Sequence, residues 1–422
     1  MRELEGIVGT DHVRPPEETR FVVDGISPSV VVMPASYDEV AAVMRFANRE
    51  RLAVIPLGGG TKRNIGNVPS RYDIALSLER LSQVIEHEPA DLTVTCQAGI
   101  SVSDLQTRLG GVGQSVPLDV WLPQRPYVGG MLAANQNGPS RAAYGALRDF
   151  TIGMRVIASD GRITRAGGKV VKNVAGYDLC KLYIGSMGTL GIIVEATLKV
   201  TPVPKSQRHF LLYVPKLHAA CALAAALYRR GLALSYLQLR GTVGESESGD
   251  YRSTMWSLEI GLAGSDRAVE RSATELDTFA SEFGAEPIGG DWPGGPGRFG
   301  IGPESDNGVQ LVCRFSVLPS KLPIIIGQLH EFGWPDIEAE PGTGTLRAYW
   351  HADEDIAAVL NRAREVAAQH MAPCVVEHCS LELKRQIDVF GDPPPAFDLM
   401  RRVKQQFDPN GILSPGRFVG RL

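Results

Sequence analysis

The sequence lacks most of the signatures by which nucleotide-binding and hydrolytic enzymes are recognised. Gly58-Gly-Gly-Thr-Lys62 resembles a P-loop, but Ile55 stands where G-x-x-x-x-G-K requires its first glycine. No G-x-G-x-x-G lies in a strand-to-helix turn, and H-E-x-x-H and G-x-S-x-G are absent. These absences argue against Rossmann cofactors, P-loop nucleotides, zinc proteases and serine hydrolases.

Excess charge, paired cysteines and long apolar runs are also missing. Because 43 basic side chains face 47 acidic ones, the net charge is −4, which argues against nucleic-acid binding. The six cysteines show neither C-x-x-C nor zinc-like spacing, so we expect reduced thiols. The most apolar helical stretch, Leu217 to Leu227, is too short to span a bilayer, and no secretory signal is evident. These features favour a cytoplasmic protein.

Glycine, by contrast, is abundant. The chain has 46 glycines in 422 residues, about 11% against the roughly 7% that is usual. Twenty of them lie between Gly58 and Gly191. Glycine lets the backbone approach a ligand closely, so the first half is either rich in turns or built around a large ligand.

The pattern of strands and helices predicts an α+β protein of three segments. Residues 25–203 form one mixed α+β unit, and residues 205–376 repeat the order β-α-β-β-α twice. This repeat predicts an antiparallel sheet with helices on one face. Residues 377–422 form a C-terminal segment that returns to the first unit. Gly284 to Gly302, rich in glycine and proline, is interpreted as a linker.

Four glycine-rich segments of the first unit are interpreted as ligand-binding turns. They are Pro56 to Thr61, Gly129 to Gly138, Lys169 to Asp178 and Gly185 to Gly191. Consecutive backbone N–H groups form an anion-binding nest without a lysine, so the first segment suits a pyrophosphate. The alternative for that segment alone is a tight hairpin turn. Four such segments in one unit suit a long ligand such as a dinucleotide.

Several of these segments carry a family resemblance. Pro56 to Gly66, Gly129-Gly-Met131, Arg148-Asp-Phe150 and Gly188-Thr-Leu-Gly191 resemble the PCMH-type FAD-binding domain of the vanillyl-alcohol-oxidase family. Gly167 to Asp178 is similar, more narrowly, to FAD-binding subunits of the glycolate oxidase type, and so is the tail from Phe407 to Arg417. The resemblance covers 25–203 and 398–418.

The resemblance implies non-Rossmann binding of FAD. It assigns the pyrophosphate to the turn from Gly58 to Lys62 and the flavin and ribityl side to the second segment. The implied cofactor-binding residues are Gly58, Gly59, Gly60, Thr61, Lys62, Gly129, Gly130, Asn135, Gly138, Tyr177, Asp178, Gly188 and Ile192. No histidine lies between His87 and His209, so we expect FAD to be non-covalent. Ser414 replaces an asparagine that the family tail often has, and we place no metal site.

Substrate residues are expected on two strands of the second unit. Oxidation of a 2-hydroxy acid needs a cation for the carboxylate and a base for the hydroxyl proton. Period-two alternation puts Arg347 and His351 on one face of a strand, and Arg314 on the polar face of another. We assign the carboxylate to Arg314 and Arg347 and the base to His351; the alternative is that all three are solvated. We also expect Glu377 and His378 to form a structural pair. The Lys384-Arg385 and Arg401-Arg402 pairs are expected to be solvated charges, with use by a partner subunit as the alternative.

Three functions remain open at this stage. The first is an FAD-binding oxidoreductase subunit of the glycolate oxidase type, with a sister flavoprotein and an iron–sulfur subunit as partners. Because this chain lacks cysteine spacing for a cluster, that cluster would lie on a partner, and the chain could be peripheral at the inner membrane through it. The second is a stand-alone FAD-dependent 2-hydroxy-acid or alcohol dehydrogenase. The third is a flavin-holding scaffold subunit without catalysis.

Overall fold

The computed structural model describes residues 1–17, 19–119, 125–168, 177–245, 252–288, 308–351 and 355–422. The chain divides into two compact units. The first comprises residues 1–137, 145–203 and 384–422, and the second comprises 138–144 and 204–383. Residues 377–383, which the sequence analysis placed in the C-terminal segment, therefore lie with the second unit. Most of the predicted linker, from 289 to 302, lies outside the described residues.

The first unit combines short helices with two main sheets. Its strands are β1 (Val13–Arg14), β2 (Val30–Val32), β3 (Val54–Leu57), β4 (Ile74–Ser77), β5 (Val84–Glu88), β6 (Thr93–Gln97), β7 (Gln114–Ser115), β8 (Thr151–Ile157), β9 (Ile163–Gly167), β10 (Ile192–Lys199) and β11 (Thr201–Pro202). The helices up to β10 are α1 (Arg2–Val8), α2 (Tyr37–Glu50), α3 (Val102–Gly110), α4 (Val128–Ala134), α5 (Arg141–Tyr144, in the second unit), α6 (Leu147–Phe150) and α7 (Cys180–Tyr183).

The two main sheets of the first unit differ in direction. The smaller has the order β1-β2-β4-β3, and its strands β2, β4 and β3 run parallel. The larger is antiparallel with the order β5-β6-β10-β8-β9, and β11 pairs with β7. Parallel strands need a crossover connection, and α2 supplies one between β2 and β3, which lie on either side of β4.

Helix α2 shows how the local sequence becomes packing. The Ser36 Oγ accepts a hydrogen bond from the Glu39 backbone N–H at 3.1 Å, as the capping pattern predicts. The apolar positions that helical spacing places on one face are all buried: Val40, Val43, Met44 and Ala47. A single apolar face of this kind fixes the helix against the sheet.

The second unit contains the predicted duplicated pattern. Its elements in chain order are β12 (Ser206–Val214), α8 (Leu217–Arg230), β13 (Leu234–Glu245), β14 (Arg252–Gly264), α9 (Asp266–Glu282), β15 (Glu286–Pro287), β16 (Val309–Ser316), α10 (Leu322–His330), β17 (Asp336–Glu340), β18 (Thr345–His351), α11 (Ile356–Gln369) and β19 (Cys374–His378). The chain ends with α12 (Leu381–Gln386) and α13 (Phe397–Phe407). Short 3-10 turns lie at Thr10–His12, Thr19–Phe21, Pro319–Lys321 and Val419–Arg421.

The strands of the second unit form one antiparallel sheet with the order β15-β12-β14-β13-β17-β18-β16-β19. The second strand of each repeat, β13 and β17, meet at its centre. Helices α8, α9 and α11 pack against its strands. The alternation predicted for β16 is present, because Leu311, Cys313 and Phe315 are buried on the face opposite Arg314. No helix within the described ranges is long and apolar enough to cross a membrane.

Candidate functional site

A cleft opens in the first unit where β3 ends. Its described lining residues are Ile55, Pro56, Leu57, Gly58, Gly59, Gly60, Thr61, Lys62, Arg63, Tyr127, Gly130, Ala133, Ala134, Met187, Gly188 and Arg417. Three segments predicted to bind the cofactor thus meet in one place, although they lie far apart in the sequence. The remaining predicted segment, Lys169 to Asp178, lies mostly outside the described residues.

The turn after β3 needs glycine for two physical reasons. A Cβ on Gly59 would overlap the backbone carbonyl oxygen of Arg125, so only glycine permits this approach. Gly60 has a φ of 70°, which side chains rarely adopt. Backbone N–H groups in such a turn can bind an anion.

Gly129 and Gly130 lie in a helix rather than in a glycine turn. Helix α4 spans Val128–Ala134, so the prediction of a turn there is wrong. A Cβ on Gly129 would lie 2.6 Å from the Cβ of Ala98, so this glycine lets α4 pack closely on the chain after β6. Gly130 has no atom within 4 Å of its Cβ position and lines the cleft. The helix ends at Asn135 with a φ of 49°.

The turn at Gly185 to Gly188 closes another side of the cleft. The backbone N–H groups of Gly185 and Met187 donate to carbonyl oxygens of α4 at 2.9 Å each. Gly188 has a φ of 73°, and a Cβ there would lie 2.7 Å from the Pro56 ring. The predicted turn is therefore present, and it brings Met187 and Gly188 to the cleft.

Six predicted cofactor residues do not line the cleft among the described residues: Gly129, Asn135, Gly138, Tyr177, Asp178 and Ile192. Gly138 belongs to the second unit. Tyr177 is 94% exposed, and Asp178 pairs with Lys181 at 3.2 Å. Ile192 is fully buried at the start of β10. Their part in cofactor binding stays a prediction.

The C-terminal segment supplies a residue that sequence reasoning did not assign to the site. Arg417 lines the cleft, and its guanidinium donates to the carbonyl oxygens of Arg63, at 2.7 Å, and Ile65. Lys384 is buried and pairs with Asp24 at 2.6 Å, so the prediction that Lys384 is solvated is wrong. The one available signal was the family-like tail from Phe407 to Arg417.

The shape and chemistry of this cleft fit the diphosphate of a dinucleotide. Lys62, Arg63 and Arg417 are basic, and none of the described lining residues is acidic. The glycine turn adds backbone donors, and the Cβ positions discussed above show that side chains there would clash or fill the cleft. Pro56, Met187 and the small residues of α4 offer apolar surface to a flat ring.

In the second unit the two predicted carboxylate-binding arginines are neighbours. Arg314 in β16 lies directly opposite Arg347 in β18. Glu377, at an irregularity in the pairing of β19 with β16, joins them. Its two carboxylate oxygens accept from the Nε atoms of Arg314 and Arg347 at 2.8 Å each. The partners of Glu377 therefore include the arginines, a role that its sequence position beside His378 did not reveal.

Charged groups continue from this cluster along the polar face of the sheet. Glu338 in β17 lies opposite Arg347 and accepts a hydrogen bond from the Tyr349 hydroxyl at 2.7 Å. On its other side, Arg240 reaches Glu338 at 3.6 Å and Glu259 at 3.3 Å. Burial, which outweighs the neighbouring arginine, raises the pKa of Glu338. Burial and, second, Glu338 hold the pKa of Tyr349 well above its usual value.

His351 is held apart from the arginine pair. Its Nε2 lies 3.0 Å from Asp336 Oδ2, and Asp336 Oδ1 accepts from the Val243 backbone N–H at 2.7 Å. Arg347 and His351 share a face of β18, with Cα atoms about 13 Å apart at the usual rise of a strand. The structure thus brings Arg314 and Arg347 together and places His351 in a separate pair with Asp336.

Comparison with known proteins points to one family. Residues 28–167 match a model of an FAD binding domain, and residues 354–418 match the C-terminal domain of FAD linked oxidases. The D-lactate dehydrogenase of Archaeoglobus fulgidus is 33% identical over 433 aligned positions, which cover 93% of this chain and 92% of that protein. Glycolate oxidase subunit GlcD of Bacillus subtilis is 33% identical over 46% of this chain, and a D-2-hydroxyglutarate dehydrogenase of Xanthomonas citri is 36% identical over 47%. The chain spans only 41% and 42% of those two relatives.

Solved structures show the same fold. An alkyldihydroxyacetonephosphate synthase matches 98% of this chain with a TM-score of 0.75 at 18% identity, covering 84% of its own chain. A p-cresol methylhydroxylase matches 99% with a TM-score of 0.74 at 15% identity, covering 95% of its own. The predicted fold class is therefore confirmed. The matches to the FAD binding domain and to the C-terminal domain of FAD linked oxidases confirm FAD as cofactor and a flavin-dependent oxidoreductase as the kind of protein. The resemblance to glycolate oxidase is supported only at the level of the wider family. With its cleft for a dinucleotide and a full-length relative at 33% identity, this chain belongs to the FAD-linked oxidase family.

Proposed function

We propose that this chain oxidises a small 2-hydroxy acid, with bound FAD accepting a hydride from the carbon that carries the hydroxyl group. The observation that carries the proposal is the cross-strand pair of Arg314 and Arg347 joined by Glu377. Relatives named for D-lactate, glycolate and D-2-hydroxyglutarate support the substrate class, because all three compounds are 2-hydroxy acids.

Glu377 prepares the two arginines for a substrate carboxylate. It engages the Nε atom of each guanidinium, and the Nη1 of Arg314 reaches only as far as Ser316 Oγ, at 3.4 Å. Because Glu377 engages the Nε atoms, the Nη groups are the donors that we assign to the substrate carboxylate. Such contacts are charge-assisted hydrogen bonds.

His351 is proposed as the base for the hydroxyl proton. Asp336 orients its imidazole through Nε2 and stabilises the positive charge that the ring acquires on accepting a proton. Arg347 and His351 lie four residues apart on the same strand. One small substrate therefore contacts both only if the two side chains lean towards each other. Replacing His351 by glutamine is expected to lower kcat about 100-fold or more with little change in KM. A comparable fall in kcat/KM that comes from a higher KM, with kcat unchanged, would assign His351 to substrate binding instead.

A separate question is whether the chain acts in a complex, acts alone or only holds flavin. The glycolate oxidase-type arrangement pairs this chain with a sister flavoprotein and an iron–sulfur subunit. The match to a D-lactate dehydrogenase over 93% of this chain supports dehydrogenation of a 2-hydroxy acid, and the second candidate is a dehydrogenase that acts without these partners. In the third candidate, the scaffold subunit, the chain holds flavin and does not turn over substrate.

Anaerobic reduction of the FAD-loaded chain by itself distinguishes these candidates. Glycolate, D-lactate, L-lactate and D-2-hydroxyglutarate are added in turn, and flavin absorbance is followed. Bleaching by at least one acid, with no bleaching by lactamide, is the expected result, because the amide lacks the carboxylate that the arginines bind. Bleaching by lactamide as fast as by lactate would overturn the arginine site. A yellow protein that no acid bleaches would refute catalysis by the chain alone and favour the scaffold, or the complex if bleaching returns with the partner subunits.

A further inference from the structure

A buried cluster of charges in the first unit adjoins the dinucleotide cleft. It consists of Asp24, Lys384 and Arg417, whose side chains are each 7% exposed or less. Lys384 Nζ lies 2.6 Å from Asp24 Oδ1, and Arg417 Nη1 lies 3.5 Å from Asp24 Oδ2. One carboxylate thus serves two cations that lie far from it in the sequence.

The same two cations hold the loop that follows the glycine turn. Arg417 donates to the carbonyl oxygens of Arg63 and Ile65, and Lys384 donates to the carbonyl oxygen between them, that of Asn64, at 2.5 Å. Three successive carbonyl groups are therefore bound by the C-terminal segment. These hydrogen bonds hold the carbonyl groups of residues 63–65 towards Lys384 and Arg417, and they fix the direction in which the loop leaves the glycine turn.

Asp24 is shared unequally by the two cations, because it lies 2.6 Å from Lys384 and 3.5 Å from Arg417. Burial of a charge is costly unless an opposite charge lies close by. Burial, opposed by Asp24, lowers the pKa of Arg417 from its usual value. Arg417 itself lines the cleft, where the described lining contains no carboxylate.

We propose that Arg417 is a cofactor-binding residue that supplies a buried cation for the diphosphate of FAD, and that Lys384 and Asp24 are the residues that position it. The backbone of the glycine turn then provides the neutral donors, and the C-terminal segment provides the charge. The FAD site is consequently incomplete without residues from the end of the chain. This inference concerns the cofactor and does not depend on the identity of the substrate.

The experiment measures the dissociation constant of FAD for the full chain by flavin fluorescence, at several salt concentrations. Arg417→Met removes the charge, and Arg417→Lys keeps a charge but loses the planar fork. Arg421→Met is the matched control, since Arg421 is an exposed arginine of the same segment that donates to the Ile387 carbonyl oxygen at 2.7 Å. Circular dichroism establishes that each variant is folded.

Arg417→Met is expected to bind FAD roughly 10- to 100-fold more weakly, the range for one lost hydrogen bond to a charged group. Its affinity is also expected to depend less steeply on salt, because one cation–phosphate contact is gone. A purely structural role for Arg417 would weaken affinity without changing that salt dependence, and this result would overturn the proposal. Arg421→Met is expected to stay within twofold of the wild type.

Arg417→Lys keeps the test decisive if the methionine variant does not fold. A lysine ammonium has one charge centre and cannot bind the loop carbonyls and the diphosphate in the manner of the arginine fork. We therefore expect a roughly 5- to 20-fold loss of FAD affinity with the wild-type salt dependence retained. Unchanged FAD affinity in this variant would contradict the proposal.

Discussion

Replacing Arg347 by methionine removes half of the proposed carboxylate site and leaves an unbranched apolar side chain in place of the aliphatic part of the arginine. The side chain of Arg347 is 18% exposed, and its Nε donates to Glu377 at 2.8 Å. Burial disfavours its charged form, but Glu377 more than compensates and raises the pKa of Arg347 above the usual arginine value. The substitution therefore removes one full positive charge from the site.

The size of the effect follows from one lost charge-assisted hydrogen bond to the substrate. Such a bond contributes about 1.5–3 kcal/mol, and each 1.4 kcal/mol is about tenfold in affinity. We expect kcat/KM for the acid to fall roughly 10- to 150-fold, chiefly through KM. Glu377 keeps Arg314 at 2.8 Å, so its carboxylate is not left without a cation. The loss of stability is therefore expected to stay below the roughly 3–5 kcal/mol typical of an orphaned buried charge.

The assay compares an acid and its amide in the same variant. Kinetic constants for the best 2-hydroxy acid of the wild type and for its amide are measured in the wild type, Arg347→Met and Arg347→Lys. Arg208→Met is the control, because Arg208 is an exposed arginine in β12 of the same sheet. The preference for acid over amide is expected to collapse in Arg347→Met, to be partly retained in Arg347→Lys and to be unchanged in Arg208→Met.

Two results would refute this reasoning. The first is an Arg347→Met variant whose kcat/KM for the acid stays within twofold of the wild type. The second is an equal loss for acid and amide, which would mean that Arg347 acts on the fold of the site and not on the carboxylate.

Three other predictions follow from the packing. Gly59→Ala is expected to weaken FAD binding about tenfold or more, because its Cβ overlaps a backbone carbonyl oxygen, whereas Gly110→Ala, with open space around the Cβ, is expected to leave FAD fluorescence titrations unchanged. Lys404→Met is expected to lower the free energy of unfolding by about 3–5 kcal/mol in urea titrations, since it leaves the buried carboxylate of Asp408 without its cation; a loss below 1 kcal/mol would contradict the pairing. Burial, and to a lesser extent Glu195, raises the pKa of the Cys96 thiol to about 12. The folded state thus retains a proton that the unfolded chain loses near pH 9, so stability is expected to fall as pH rises above about 9. Cys96→Ala is expected to make this fall in stability less steep, as measured by thermal unfolding between roughly pH 8 and 10.5.

Local patterns in the sequence were sufficient for the elements and for the class of fold. The sequence periodicity of Leu217–Arg230 is that of a helix and that of Asp336–Glu340 and Thr345–His351 is that of strands, and the structure has these elements there. Such elements depend on neighbours three, four or two residues away, and those neighbours can be read directly from the chain. The repeated order β-α-β-β-α then implied the antiparallel sheet of the second unit, which the structure contains.

Helix α4 marks one limit of that reasoning. Gly129 and Gly130 have poor intrinsic helix propensity, so their segment was interpreted as a turn. Contact with Ala98 outweighs this propensity, because only a residue without a side chain lets the helix approach so closely. Tertiary packing, which local propensity does not contain, decided the conformation here.

The sequence by itself determined the elements, the FAD-binding family and the two arginines on the polar face of the sheet. Only the tertiary structure decided that Glu377 joins those arginines and that Lys384 is buried on Asp24, 360 residues away. Lys384-Arg385 has the sequence appearance of a solvated pair, and nothing in its neighbourhood indicates a buried carboxylate. The physical reason is that the energy of a charge is set by its desolvation and by the groups that surround it in space. Those groups come from distant parts of the chain, and folding alone brings them together.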